Sequence, residues 1–182
     1  ITELIAKISG ISVDGTVRTL IEGGVRMLIF LGYILLVSQM KDIKRVFMYH
    51  GAEHKTIATY EHGMELTVEN ARKGCRLHPR CGTSFLIFVM IVSVIVFLII
   101  PKGLPWYMRA IFKILLLPLV AGISYEIIKF AGRHENWFTK IISMPGMWLQ
   151  YITTREPDDS QLEVAIASIK AVIPDNKEED KW

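Results

Sequence analysis

Residues 81 to 100 read Cys-Gly-Thr-Ser-Phe-Leu-Ile-Phe-Val-Met-Ile-Val-Ser-Val-Ile-Val-Phe-Leu-Ile-Ile, with no charged side chain among them. A bilayer core about 30 Å thick is crossed by about 20 apolar residues at a helical rise of about 1.5 Å each. In lipid the backbone must satisfy its own hydrogen bonds, so such a run is expected to be a helix. We therefore expect a transmembrane helix over residues 82–100. The whole composition agrees, since 51% of the 182 residues are hydrophobic and the mean hydropathy is +0.35, above the usual soluble domain.

Two more apolar runs flank this one. Residues 25–40 form the first, closed by Arg26 and Lys41, which must snorkel if so short a run is to span. Residues 111–130 form the last and contain Pro118 and Glu126. The expectation is an all-α polytopic membrane protein of about three spans, organised as a single membrane domain over residues 1–182. Counted outside the apolar cores at residues 27–40, 81–100 and 114–128, Lys and Arg number three before the first, eight in residues 41–80, three between the second and third, and seven after the third. By the positive-inside rule, residues 41–80 and the C-terminus are expected in the cytoplasm and the loop around Pro101 outside. The net charge of +3 then reports topology, and no direct nucleic-acid binding is expected.

Gly10, Gly15, Gly23 and Gly24, with scattered Ile5, Ile8 and Ile11, predict short helices joined by turns in residues 1–24. That stretch has neither the basic start nor the apolar run of a signal peptide, and it begins with Ile1. Ile43, Phe47, His50, His54, Ile57 and Glu61 recur at helical spacing, so the first span is expected to continue as a cytoplasmic helix. A turn at His62-Gly63 follows, then Thr67 as N-cap of a short helix through Lys73. Trp106 and Tyr107 suit an aromatic belt. Residues 137–152, interrupted by Pro145-Gly146, read as a broken interfacial helix, residues 158–173 as an amphipathic helix striped by Leu162, Ile166, Ile169 and Ile173, and residues 174–182 as a charged, disordered tail. Cys75 and Cys81 fall on the expected cytoplasmic side, where a stable disulfide is disfavoured, and two cysteines make no zinc ribbon.

The candidate chemistry lies in His50-Gly51-Ala52-Glu53-His54. Histidines at i and i+4 on one helix face can converge on one metal, and Glu53 is placed to act as general base toward a bound water. Inverted-motif zinc peptidases use the same order of residues. The competing reading is a pair of structural histidines bonded within a packing surface. A third ligand could come from His78, in the turn His78-Pro79-Arg80-Cys81-Gly82, from Glu61 or Glu65, or from Glu126 in the last span. An unpaired carboxylate at that depth is costly, so Glu126 must find a partner or a proton. His62 and His134 read as ordinary polar residues.

The segments Tyr49-His50-Gly51-Ala52-Glu53-His54-Lys55, Glu65-Leu66-Thr67-Val68-Glu69-Asn70 and His78-Pro79-Arg80-Cys81-Gly82-Thr83-Ser84-Phe85 resemble the bacterial YqhQ-like membrane family. Gly122-Ile123-Ser124-Tyr125-Glu126 and Leu162-Glu163-Val164-Ala165-Ile166 are similar to its later motifs. The resemblance implies a multi-pass protein of the bacterial inner membrane and a predicted metal-dependent enzyme of unknown substrate. It marks His50, Glu53, His54, His78 and Glu126 as site residues. Members carry a glycine-rich soluble segment and further apolar sequence upstream, expected to be absent from this chain. The functional expectation is a zinc-type hydrolase at the cytoplasmic membrane face, with membrane lipids around it. The alternative is a non-enzymatic accessory or scaffold of the protein-insertion machinery (translocon) or the ribosome, since family members are often encoded near translation genes.

Overall fold

The computed structural model describes residues 15–174 except 102 and 135. Among the described residues the chain is all helix and turn, with no strand. Seven helices follow in order: α1 Gly15–Val37, α2 Lys41–Glu61, α3 Val68–Lys73, α4 Gly82–Phe97, α5 Trp106–Arg133, α6 Trp137–Thr153 and α7 Asp159–Val172. The expected short helices before residue 15 and the tail from Asp175 lie outside the described residues.

Two of these helices, α1 with 23 residues and α5 with 28, are long and apolar enough to cross a membrane. The decisive apolar run forms a shorter apolar helix. It closes as α4 after 16 residues, about 24 Å at helical rise, because Leu98, Ile99 and Ile100 leave the α-helix in tighter turns of i to i−3 bonding. Helix α4 is the central element. Ile87, Phe88, Val92, Val96 and Phe97 are buried, and α1, α5 and α6 all pack against it. An all-round apolar sequence suits a helix surrounded on most sides.

Two other boundaries are corrected. Helix α1 begins at Gly15 rather than residue 25, so Gly15, Gly23 and Gly24 are helical and not turns. Gly23 lies against Val94 so closely that an added Cβ would fall 2.4 Å from a valine methyl. Helix α6 is continuous through Pro145-Gly146, where a break was expected. Gly146 lets α6 approach α4, because a Cβ there would meet Ser84 Cβ at 2.5 Å. The dipeptide serves close packing, and the neighbouring helix holds the line of α6 across the proline.

The first span does not run straight on into the next helix, since residues 38–40 turn the chain between Val37 and Lys41, but several capping and turn expectations hold locally. Gly63 takes a positive φ of 68° at the end of α2, and the Thr67 hydroxyl accepts a bond from Asn70 N to start α3. Asp158 and Gln161 form a capping box for α7. That helix packs on α2 and α3, with Leu162 and Ile166 buried in one cluster with Ala52 and Ala71. Burying both branched side chains contributes about 3–6 kcal/mol before entropy is counted.

Candidate metal centre

Helix α2 carries His50 and His54 on one face, their ring centroids 4.4 Å apart. Two segments close over that face because small residues let them. The Arg155 backbone lies on Gly51, where a Cβ would sit 2.0 Å from the Arg155 carbonyl oxygen, and Arg155 N donates to Phe47 O at 2.8 Å. On the other side Gly74 meets the Lys55 carbonyl, with an added Cβ only 2.5 Å away. The glycine of the H-G-A-E-H motif is therefore a contact point, not a flexible joint.

These segments fix both imidazoles in the same way. His50 Nδ1 donates to the Thr153 carbonyl at 2.8 Å, and His54 Nδ1 donates to the Arg76 carbonyl at 2.7 Å. A carbonyl can only accept, so each ring keeps its proton on Nδ1 in the neutral form, and Nε2 is left to pair with the Cys81 sulfur, accepting from the thiol or, as imidazolium, donating to the thiolate. The third member is Cys81, the N-cap residue of α4. Its Sγ lies 3.2 Å from His50 Nε2 and 3.2 Å from the Thr83 hydroxyl. One donor atom from each of His50, His54 and Cys81 falls within 4.8 Å of the others.

Burial of Cys81 pushes its thiol pKa up, but hydrogen bonds from His50, His54 and Thr83 outweigh this and lower it to about 5. For His50, burial disfavours the imidazolium, while the Cys81 hydrogen bond, the Thr153 carbonyl and the nearby charges of Cys81 and Glu53 raise its pKa overall. The pocket thus favours a thiolate beside imidazole nitrogen, which is the state a soft or borderline metal selects.

The sequence-marked residues divide. His50 and His54 join the cluster; Glu53 is exposed on the same helix, its charge acting on His50. His78 lies near, with its ring 5.9 Å from that of His54, but its Nε2 is 3.0 Å from Glu61 Oε2. The His78 hydrogen bond, opposed by burial and reinforced by Arg80, holds the Glu61 carboxyl below its ordinary range. Gln150, fully buried, accepts from His78 N at 2.8 Å and donates to His78 O at 2.7 Å, so the turn before Cys81 is pinned to α6. Glu65 is exposed. Glu126 is outside the cluster, 70% exposed and 3.9 Å from Lys129, on an apolar groove with Pro118, Gly122 and Phe130. His62 and His134 bond the carbonyls of Ala58 and Phe130, four residues back in each case.

Cys81 is the member that sequence reasoning passed over. Its signal was its place between the rigid His78-Pro79-Arg80 turn and the start of an apolar helix, which sets a thiol at a helix N-terminus.

Fold and site together define a class: a protein that is all-helical over the described residues, with two helices long enough to cross a bilayer and a largely buried His-His-Cys cluster at one end of its central helix. The chain belongs to a protein family of unknown function, DUF1385, whose profile matches residues 2–175. It is 43% identical over 159 residues to the uncharacterized protein YqhQ of Bacillus subtilis (strain 168), an alignment covering 87% of this chain and 50% of that relative. The chain thus spans half the length of the relative it matches. No solved structure matches it.

Proposed function

We propose that this chain is the metal-binding part of a hydrolase of the bacterial inner membrane, with a zinc-type divalent ion held by His50, His54 and Cys81. One observation carries the reading: both imidazoles are anchored through Nδ1 to backbone carbonyls, leaving both Nε2 atoms to share the space of one thiolate. Anchoring the far ring nitrogen orients a histidine ligand and raises its basicity. A nitrogen, nitrogen, sulfur donor set suits zinc and is poor for magnesium or calcium.

Three protein donors leave a fourth position, as catalytic zinc sites do. When bound, the ion would supply Lewis acidity toward a carbonyl or phosphoryl oxygen. Glu53, exposed and one residue before His54, is the chain's own base. A carboxylate there can take a proton from a water brought to the cluster. The site sits where α4 begins, so its substrate would be met at the membrane surface, on the cytoplasmic side by the distribution of basic residues.

The membrane placement is supported by the way polarity is distributed. Ser84, Ser93, Ser124, Thr139, Ser143 and Gln150 are buried, while Leu28, Leu36, Ile114, Leu115, Trp137 and Trp148 are more than 60% exposed. Small polar residues inside and large apolar residues outside is a pattern of helices packed in lipid.

Metal analysis of the detergent-purified protein tests the assignment. One zinc per chain is expected, retained by His78→Gln and Glu126→Gln and lost from Cys81→Ser and from the His50→Ala/His54→Ala double variant. A wild-type protein without stoichiometric metal would overturn it.

A further inference from the structure

At the other end of α4 from Cys81, basic side chains from two helices gather around one aromatic ring and one carboxylate. Arg26, on α1, approaches Ser93 Oγ at 3.4 Å and has its guanidinium 5.8 Å from the Phe97 ring centroid. Lys113, on α5, reaches the same ring at 5.8 Å and Glu22 Oε2 at 3.3 Å. Arg109, one turn before Lys113, lies 3.8 Å from the same Glu22 oxygen. Glu22 is also bonded to Arg18 at 3.1 Å.

Arg18, Arg109 and Lys113 share the Glu22 carboxylate, and Arg26 stands beside them as a fourth cation at Ser93 and Phe97. A single carboxylate neutralises one of them. Among the described residues no second carboxylate joins these cations, and holding the surplus positive charge beside apolar helix faces is costly unless an anion comes from outside. The side chains of Arg109 and Lys113 remain 22% and 29% exposed, so an outside group can reach them. Trp106 and Tyr107, 81% and 52% exposed at the start of α5, lie within two turns of Lys113. Aromatic residues at this position in an apolar helix mark the headgroup level of a bilayer.

We propose that Arg26, Arg109 and Lys113 form a seat for the phosphate of an anionic phospholipid headgroup, in the leaflet opposite the His50–His54–Cys81 cluster. Two basic groups of α5 and one of α1 grip the phosphate, while Phe97 backs two of them through cation–π contact. A lipid so held ties α1 to α5 across the end of α4. The inference rests on the membrane half of the proposed function and is independent of the metal.

The test uses the full chain. Resistance of the membrane-bound protein to carbonate extraction is expected first; extraction would overturn the membrane reading and the seat with it. The solubilised protein is then titrated with phosphatidylglycerol, phosphatidylcholine and inorganic phosphate, reading lipid retention by native mass spectrometry and the melting midpoint. Phosphatidylglycerol is expected to bind at least about tenfold more tightly than phosphatidylcholine, and Arg109→Gln/Lys113→Gln to weaken it about 30-fold. If that double variant does not fold, Lys113→Gln alone should weaken it about fivefold. Equal binding of the two lipids, or unchanged binding by the variants, would overturn the seat alone. Equal stabilisation by inorganic phosphate would overturn the lipid as its source.

Discussion

Gly51 shows how much of the site is set by one missing methyl. A side chain there would collide with the Arg155 carbonyl oxygen, and backbone cannot move aside as a flexible side-chain tip can. Gly51→Ala should therefore destabilise by about 1–3 kcal/mol as overpacking and loosen Thr153, the carbonyl that orients His50. Gly32→Ala, with open space around its added Cβ, should be neutral or slightly stabilising, since alanine favours helix by about 1 kcal/mol over glycine. Melting curves and metal content of the two variants in detergent check both expectations; equal behaviour would remove the contact from the account. At this scale the sequence is informative where chemistry is local. The i, i+4 spacing of His50 and His54 is a helix property and was legible. Cys81 was not, because nothing local brings residue 81 to residue 50; that meeting depends on Gly74 and Gln150 holding the intervening turn. For the same reason His78 read as a ligand from its position near the helix, whereas its ring nitrogen faces Glu61.

At the scale of elements, α7 holds the chain after the site against α2, and its start is sensitive to acid. Hydrogen bonds from Ser160 and from the Gln161 backbone hold the Asp158 carboxyl below its ordinary value. A lowered folded pKa means that this stability is fully present above the unfolded value of about 4 and is lost as pH falls below it. The N-terminal turn of α7 should fray in that range, read as faster amide exchange at Gln161 and Leu162. Asp158→Asn, which can still cap without titrating, should abolish the pH dependence and keep the helix. Further along, Leu162→Ala should cost about 2–5 kcal/mol, because Leu162 is 1% exposed and its cavity cannot easily collapse between two helices. The stripe of Leu162 and Ile166, the Thr67 cap and the Gly63 turn were readable, being matters of period and capping chemistry. The start of α1 and the unbroken course of α6 were not. Glycine and proline mark turns when only local propensity acts, and here neighbouring helices use Gly23 and Gly146 for close approach instead.

For the whole molecule, the question that composition posed is which surfaces meet lipid and which way the chain faces. The apolar run at residues 81–100 was legible as membrane-like, but hydropathy cannot separate a helix facing lipid from one enclosed by other helices, and α4 is the enclosed one. Basic residues are the signal for orientation, with eight in residues 41–80 and three in residues 101–113. The two ends of α4 carry the test. Cys75 is exposed and Cys81 buried, so an impermeant maleimide reports on Cys75 beside the His-His-Cys end. Trp106, exposed at the start of α5, serves the opposite end as Trp106→Cys in a Cys75→Ser background. With the site in the cytoplasm, intact cells should leave Cys75 unlabelled and label the engineered cysteine, and inverted membrane vesicles should reverse the pattern. Labelling of Cys75 from outside would place the cluster on the external face, where it could not act on a cytoplasmic substrate. Labelling of both positions in intact cells would mean that α4 does not cross the membrane between them, leaving α1 and α5 as the spanning helices.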